Sequence, residues 1–224
     1  MPTGPPAAIA FDVIETLFSL EPLRAPLVEA GFSSDALEWW FAQTLRDGFA
    51  LGAMGRFESF PRVAAAVLRT MAARRGLEPS GTWPEAVLGT MSELPAHADA
   101  GPALERASAS GATVLALTNG APDVTRRLLE RAGLAGHVER VVSIEEVRLW
   151  KPRREVYLRA ASAASVEPGR LALVAVHAWD LDGAAQVGLR TGWASRLERV
   201  CPPWIEPDVT GESLEAVVDA LVGG

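Results

Sequence analysis

Asp12, Glu15 and Thr16 stand within "FDVIETL", at the end of a short apolar run. Thr118 and Asn119 end a second run, "ATVLALTNG", and Lys151 opens "KPRREVY". His177, Asp180 and Asp182 follow a further run, in "RLALVAVHAWDLDG". A carboxylate at the end of a buried strand is well placed to act as a nucleophile. It can attack an electrophilic carbon or phosphorus and form an ester, which water then cleaves. A nearby ammonium keeps such a nucleophile ionised, and a second carboxylate can orient or deprotonate the water. Of 21 basic residues only Lys151 is lysine; Tyr157 is the only tyrosine and Asn119 the only asparagine. Arginine cannot replace lysine where a compact ammonium must fit a small polar pocket, which singles out Lys151.

Positioning these residues requires strands that end together. Residues 7–13 read as a buried strand, and from 22 to about 92 the pattern is helical. "SSDALEWWFAQTLRDGFALGAM", "ESFPRVAAAVLRTMAARRG" and "TWPEAVLGTMSEL" are its three helices. After residue 100 strands and helices alternate. The strands are "ATVLALTNG", "VERVVS", "RLALVAV", "TGWAS" and "PDVT". The helices begin at "GPALERASASG", "APDVTRRLLERAG", "KPRREVYLRAASAAS" (with Pro152 at its start), "DLDGAAQVG" and "SLEAVVDALV". Alternation implies an α/β fold, a Rossmann-like parallel sheet with helices on both faces. The expected domains are a core of 1–19 and 96–224 and a helical cap of 20–95 inserted after the first strand. In an open parallel sheet, ligands bind beyond the carboxyl ends of the strands, where all these polar residues fall.

Composition removes several function classes. The chain has 224 residues and a net charge of −7, with arginines scattered along helices, so no nucleic-acid footprint is read. Cys201 is the only cysteine, which excludes an internal disulfide and a thiolate metal site. No run is long enough to span a membrane. The first residues, "MPTGPPAAIAF", lack the basic and apolar regions of a signal peptide, so a cytoplasmic location is expected. Gly48, Gly52 and Gly55 are read as close-packing positions, and His97 and His137 as surface residues.

Taken in order, "FDVIETL", "LALTNG", "WKP" and "HAWDLDGAAQVG" resemble the four motifs of the haloacid dehalogenase superfamily. "MGRFESF", the spacing from Lys151 to Tyr157, and "HAWD" bring the chain nearer to its L-2-haloacid dehalogenase branch. The resemblance implies that Asp12 is the nucleophile, Lys151 supports the carboxylates and Asp180 prepares the water. It assigns Thr16, Thr118, Asn119 and Tyr157 to positioning and substrate binding, and Leu45, Phe60 and Trp179 to an apolar substrate pocket. It also implies a small-molecule substrate, a homodimer and no cofactor, apart from a weak Mg²⁺ site conceivable at Asp12 and Asp180.

The match breaks at informative places. Ile14 occupies the position of the superfamily phosphatases' acid and cannot donate a proton. Phe41 stands where the branch has its substrate-binding arginine, and Arg46 lies on another face of the same helix. Ala175, His177 and Glu15 replace the branch's serine, asparagine and glycine. Glu15 could enter the crevice, repelling anions, or turn outward to an arginine or solvent; the outward placement is the one expected. His177 could act as a base or substrate ligand, or merely fill asparagine's space. The leading expectation is therefore a hydrolase using an Asp12 ester, on a carbon–halogen or related electrophile rather than a simple 2-haloalkanoate. A catalytically weak or inactive ligand- or partner-binding relative is the alternative, and a metal-dependent phosphatase a distant third.

Overall fold

A computed structural model describes residues 4–78 and 81–223. Its sheet has six parallel strands: β1 (Ala8–Asp12), β2 (Thr113–Thr118), β3 (Arg140–Ser143), β4 (Leu171–Ala175), β5 (Arg190–Ala194) and β6 (Val209–Gly211). Their order is β3-β2-β1-β4-β5-β6. β1 lies inside the sheet, and its continuous apolar sequence reflects burial on both faces. Asp12 pairs in register with Leu117, and Phe11 with Val174. That register brings the ends of β1, β2 and β4 side by side.

Among the described residues, four α-helices fill the inserted stretch between β1 and Ala100: α1 (Arg24–Glu29), α2 (Ala36–Ala53), α3 (Phe60–Arg74) and α4 (Trp83–Gly89). The rest cover the sheet: α5 (Ala100–Ala109), α6 (Pro122–Arg131), α7 (Arg154–Ala163), α8 (Ala178–Ala185) and α9 (Leu214–Val222). Two starts differ from expectation. Pro152 lies in the turn before α7 rather than at its first position, because the turn carries Lys151 inward. α8 starts at Ala178, which puts His177 at its N-cap and Asp180 in its first turn.

Trp150 locks the inserted helices onto the core. Its indole N–H donates to the Glu58 carbonyl at 2.9 Å, and its ring stacks on Phe60 at 5.9 Å. Gly48 of α2 allows that approach: a Cβ there would sit 2.2 Å from the Trp150 ring. Gly52 packs similarly against Arg153. Gly55 departs from the packing role expected of it. It has a φ of +64° with nothing near a would-be Cβ, so it serves a left-handed turn.

Gly48→Ala is expected to destabilise the fold by about 1–3 kcal/mol in urea denaturation, through overpacking against Trp150. Gly89→Ala, helical and with open space at its Cβ, is the control, expected to be unchanged or up to about 1 kcal/mol more stable.

Candidate active site

Four strand ends meet around one buried charge cluster. Lys151 Nζ donates to Asp12 Oδ1 at 2.9 Å and to Asp180 Oδ2 at 2.7 Å. Thr16 Oγ1 donates to Asp12 Oδ2 at 2.7 Å and accepts from the Val176 N–H. Tyr157 OH donates to Asp180 Oδ1 at 2.6 Å. Lys151, Asp180, Tyr157 and Thr16 are fully buried, while Asp12 keeps 8% of its surface exposed. Gly183 of α8 lets Tyr157 and Pro152 pack against it, since a Cβ there would meet the Tyr157 oxygen at 2.7 Å.

Lys151 supports both carboxylates of this cluster, which oppose each other. Burial opposes ionisation of Asp12, but Lys151, His177 and Thr16 outweigh it and hold its carboxyl well below the usual range. Burial likewise works against the Lys151 ammonium, and the two carboxylates raise its pKa regardless. Asp180 is shifted up by burial and by the Asp12 charge, against the pull of Lys151. Tyr157 is pushed well up by burial and by Asp180, so it stays a hydroxyl donor. Asp12 is thus an ionised carboxylate with a small opening toward the cavity.

The loop after β2 completes the inner wall. Asn119 Oδ1 accepts from the Lys151 backbone N–H at 3.2 Å, and Thr118 Oγ1 accepts from the Gly120 N–H at 2.8 Å. Ser143, at the end of β3, donates to the Gly120 carbonyl. Asp12, Ile14, Thr118, Asn119, His177 and Trp179 line a cavity with Phe41, Leu45 and Phe60 of the inserted helices. Its volume is about 20 Å³, room for roughly one water. Asp180 and Tyr157 do not line it; they act from behind, through Lys151.

Glu15 points into the crevice and not outward. Its carboxylate lies 3.1 Å from His177 Nε2, and His177 Nδ1 lies 3.7 Å from Asp12 Oδ2. Glu15 holds a left-handed φ of 65°, the conformation glycine adopts at least cost. The loop keeps that conformation because Arg196 clamps it, donating to the Glu15 and Thr16 carbonyls while forking onto Asp99 at 2.6 Å. Burial disfavours charge on His177, but Asp12 and Glu15 overcome it and raise its pKa to about 10. The imidazolium sits between the rings of Phe41 and Trp179, at 5.8 and 5.6 Å. Phe41 thus borders a cation without supplying one.

Outside this gate lies a cavity of about 800 Å³. Phe41, Leu45, His177 and Trp179 line both cavities. Arg46 lines only the outer one, paired with Asp47 at 2.7 Å. His97 is half-buried there rather than a surface residue, because its backbone N–H pairs with the Leu17 carbonyl beside the loop. Sequence reasoning passed over Arg196, although a polar residue just past the end of a parallel strand was the available signal.

A metal does not fit here. Among the described residues no three His, Cys, Asp or Glu side chains stand together as a metal set. The gap between Asp12 and Asp180, where the weak Mg²⁺ site was conceivable, is bridged by the Lys151 ammonium.

Comparison with known proteins agrees with this architecture. The family model of haloacid dehalogenase-like hydrolases matches residues 6–188. The (S)-2-haloacid dehalogenase of Pseudomonas sp. (strain YL) is 26% identical over 214 residues, covering 94% of this chain and 92% of that protein. The crystal structure of the L-2-haloacid dehalogenase RSc1362 has the same fold, with a TM-score of 0.90 at 23% identity, over 97% of this chain and 99% of that one. So does the L-2-haloacid dehalogenase of Xanthobacter autotrophicus with chloropropionic acid covalently bound, at a TM-score of 0.86 and 22% identity, over 97% and 98%.

Two outcomes test the charge network. Lys151→Ala leaves two buried carboxylates without their cation and is expected to cost about 3–5 kcal/mol in urea denaturation. For His177, a pKa raised from 6.5 to about 10 contributes stability that is full below pH 6.5 and is lost as pH rises toward 10. The gap in melting temperature between wild type and His177→Asn should therefore be widest near pH 6 and close toward pH 10. A gap independent of pH would mean that His177 is not held charged.

Proposed function

The chain belongs to the haloacid dehalogenase-like hydrolase family, and we propose that it hydrolyses its substrate through a covalent ester on Asp12. Lys151 and Thr16 hold Asp12 ionised and aimed at the inner cavity; Asp180 and Tyr157 fix Lys151 from behind. Attack by a carboxylate oxygen on carbon expels the leaving group, and water then cleaves the ester. The covalent adduct named for the Xanthobacter dehalogenase supports this reading.

The substrate is a carbon–halogen or related electrophile other than a simple 2-haloalkanoate. The observation that carries this is the occupied state of every nearby cation. Of the described residues lining the inner cavity only His177 is cationic, and Glu15 already neutralises it. Phe41 offers a phenyl ring, and Arg196 is spent on Asp99 and the loop. A substrate carboxylate would meet Glu15 with no partner of its own, so a neutral electrophile is favoured. To the same reading belong a small-molecule substrate, a homodimer and a cytoplasmic location.

Incubation with a panel of neutral alkyl halides, followed by peptide mass spectrometry, is expected to place an alkyl adduct on Asp12. Asp12→Asn should abolish both adduct and halide release. An unmodified Asp12 across the panel would favour the alternative, a relative that binds a ligand in the outer cavity without turnover.

A further inference from the structure

We infer that Glu15, His177 and Asp12 form a proton relay for a neutral electrophile whose leaving atom is oxygen, the fitting class being an apolar epoxide. The inference rests on the Asp12 ester and specifies what forms and clears it. Among the described residues lining the inner cavity, only Asp12 and His177 can titrate. Asp180 is fully buried, and both its oxygens are engaged, by Lys151 and Tyr157. Ile14 donates nothing. Any proton moved at the reacting atoms therefore passes through His177.

His177 is built for that transfer. One ring nitrogen faces Asp12 Oδ2 at 3.7 Å and the other Glu15 at 3.1 Å, a carboxylate–imidazole–carboxylate line. Asp12 and Glu15 are the charges paired with it; Lys151 and Asp180 stand behind Asp12, and Glu198, which accepts from the Ala178 N–H, shares the outer cavity wall with it, as do Arg46 and Arg196. At neutral pH the ring starts protonated. A halide leaves without a proton, so His177, still paired with Glu15, carries its proton into the ester stage and takes one from water less readily, even though the Asp12 charge is then gone. An oxygen leaving atom closes the cycle.

In the first step Asp12 attacks a ring carbon of the epoxide. One carbon–oxygen bond forms, the ring carbon–oxygen bond breaks, and the freed oxygen takes the Nδ1 proton of His177. His177, now neutral beside the Glu15 carboxylate, accepts a proton from water as that water attacks the ester carbonyl. The tetrahedral intermediate collapses and expels the alcohol oxygen, which takes the water's other proton. Asp12 and protonated His177 are restored, and epoxide plus water has become a vicinal diol. No oxidant or metal is needed.

The cavities suit this class. A three-membered ring is a small reactive head, which asks least of an inner cavity of about 20 Å³. The apolar remainder has the outer cavity, walled by Leu37, Phe41, Leu45, Phe49, Trp179 and Leu197. Phe41, Leu45, His177 and Trp179 line both cavities and so border the way to Asp12.

Styrene oxide and (2-bromoethyl)benzene, which share a phenyl group, separate the possibilities. Wild type is expected to turn styrene oxide over to the diol. With the bromide it should give a burst near one equivalent per site, then a steady rate at least tenfold below that for the epoxide. His177→Asn should lower epoxide turnover by about 100-fold or more, the usual scale of acid–base catalysis. Glu15→Gln should move the alkaline limb of epoxide turnover to lower pH while the chain stays folded by circular dichroism. Steady bromide turnover equal to that of the epoxide, or a loss under tenfold in His177→Asn, would overturn the relay and leave the Asp12 ester standing. No Asp12 adduct from either compound would overturn the ester reading and the relay with it.

Discussion

The site depends on one ammonium placed between two carboxylates. Lys151 Nζ touches Asp12 and Asp180 at once, and nothing else in the cluster can neutralise both. Without it, two negative groups would be buried within reach of each other, at a cost no packing around them could offset. Much of the surrounding fold serves that contact. β1 and β4 must be adjacent to bring the carboxylates together, and the turn before α7 must carry Lys151 inward. Asn119 holds the Lys151 backbone, Tyr157 satisfies the outer oxygen of Asp180, and Gly183 makes room for Tyr157. A guanidinium would not fit this space, which is why a chain that otherwise uses arginine has its one lysine here.

A second charge pair sets the chemistry apart. Glu15 and His177 together add no net charge, yet they stand where the two cavities adjoin and, among the described residues lining the inner one, leave no free cation beside Asp12. The two substitutions complement each other. A glutamate alone would repel an anion and crowd Asp12; a histidine alone would have only Asp12, 3.7 Å away, as its counter-charge. With both, the imidazolium is paired on each side. The Arg196 clamp holds the loop that makes this possible, and it does so through the backbone, so the Glu15 side chain stays free to face His177.

The sheet and most of the cluster were legible in the sequence because they rest on local signals. Continuous apolar runs marked the strands, and the polar residues just past them marked the crevice. Composition isolated Lys151, Tyr157 and Asn119, and all three belong to the cluster or its support. Long-range geometry was not legible. Glu15 was expected to turn outward; the loop instead keeps a left-handed conformation with the side chain facing His177, stabilised from just past β5 by Arg196, 181 residues away. Nor could the sequence reveal that Asp180 and Tyr157 stand behind Lys151 rather than in the cavity. That follows from the start of α8 at Ala178 and the close packing at Gly183.

The central claim is that Asp12 itself becomes the ester, and isotope placement addresses it most directly. A single turnover with excess enzyme in H₂¹⁸O, run until the ester has cleared, should leave one ¹⁸O in the carboxylate of Asp12, seen in its peptide by mass spectrometry. Label found in the product alone, with Asp12 unlabelled, would mean that water attacks the substrate directly and would contradict the account.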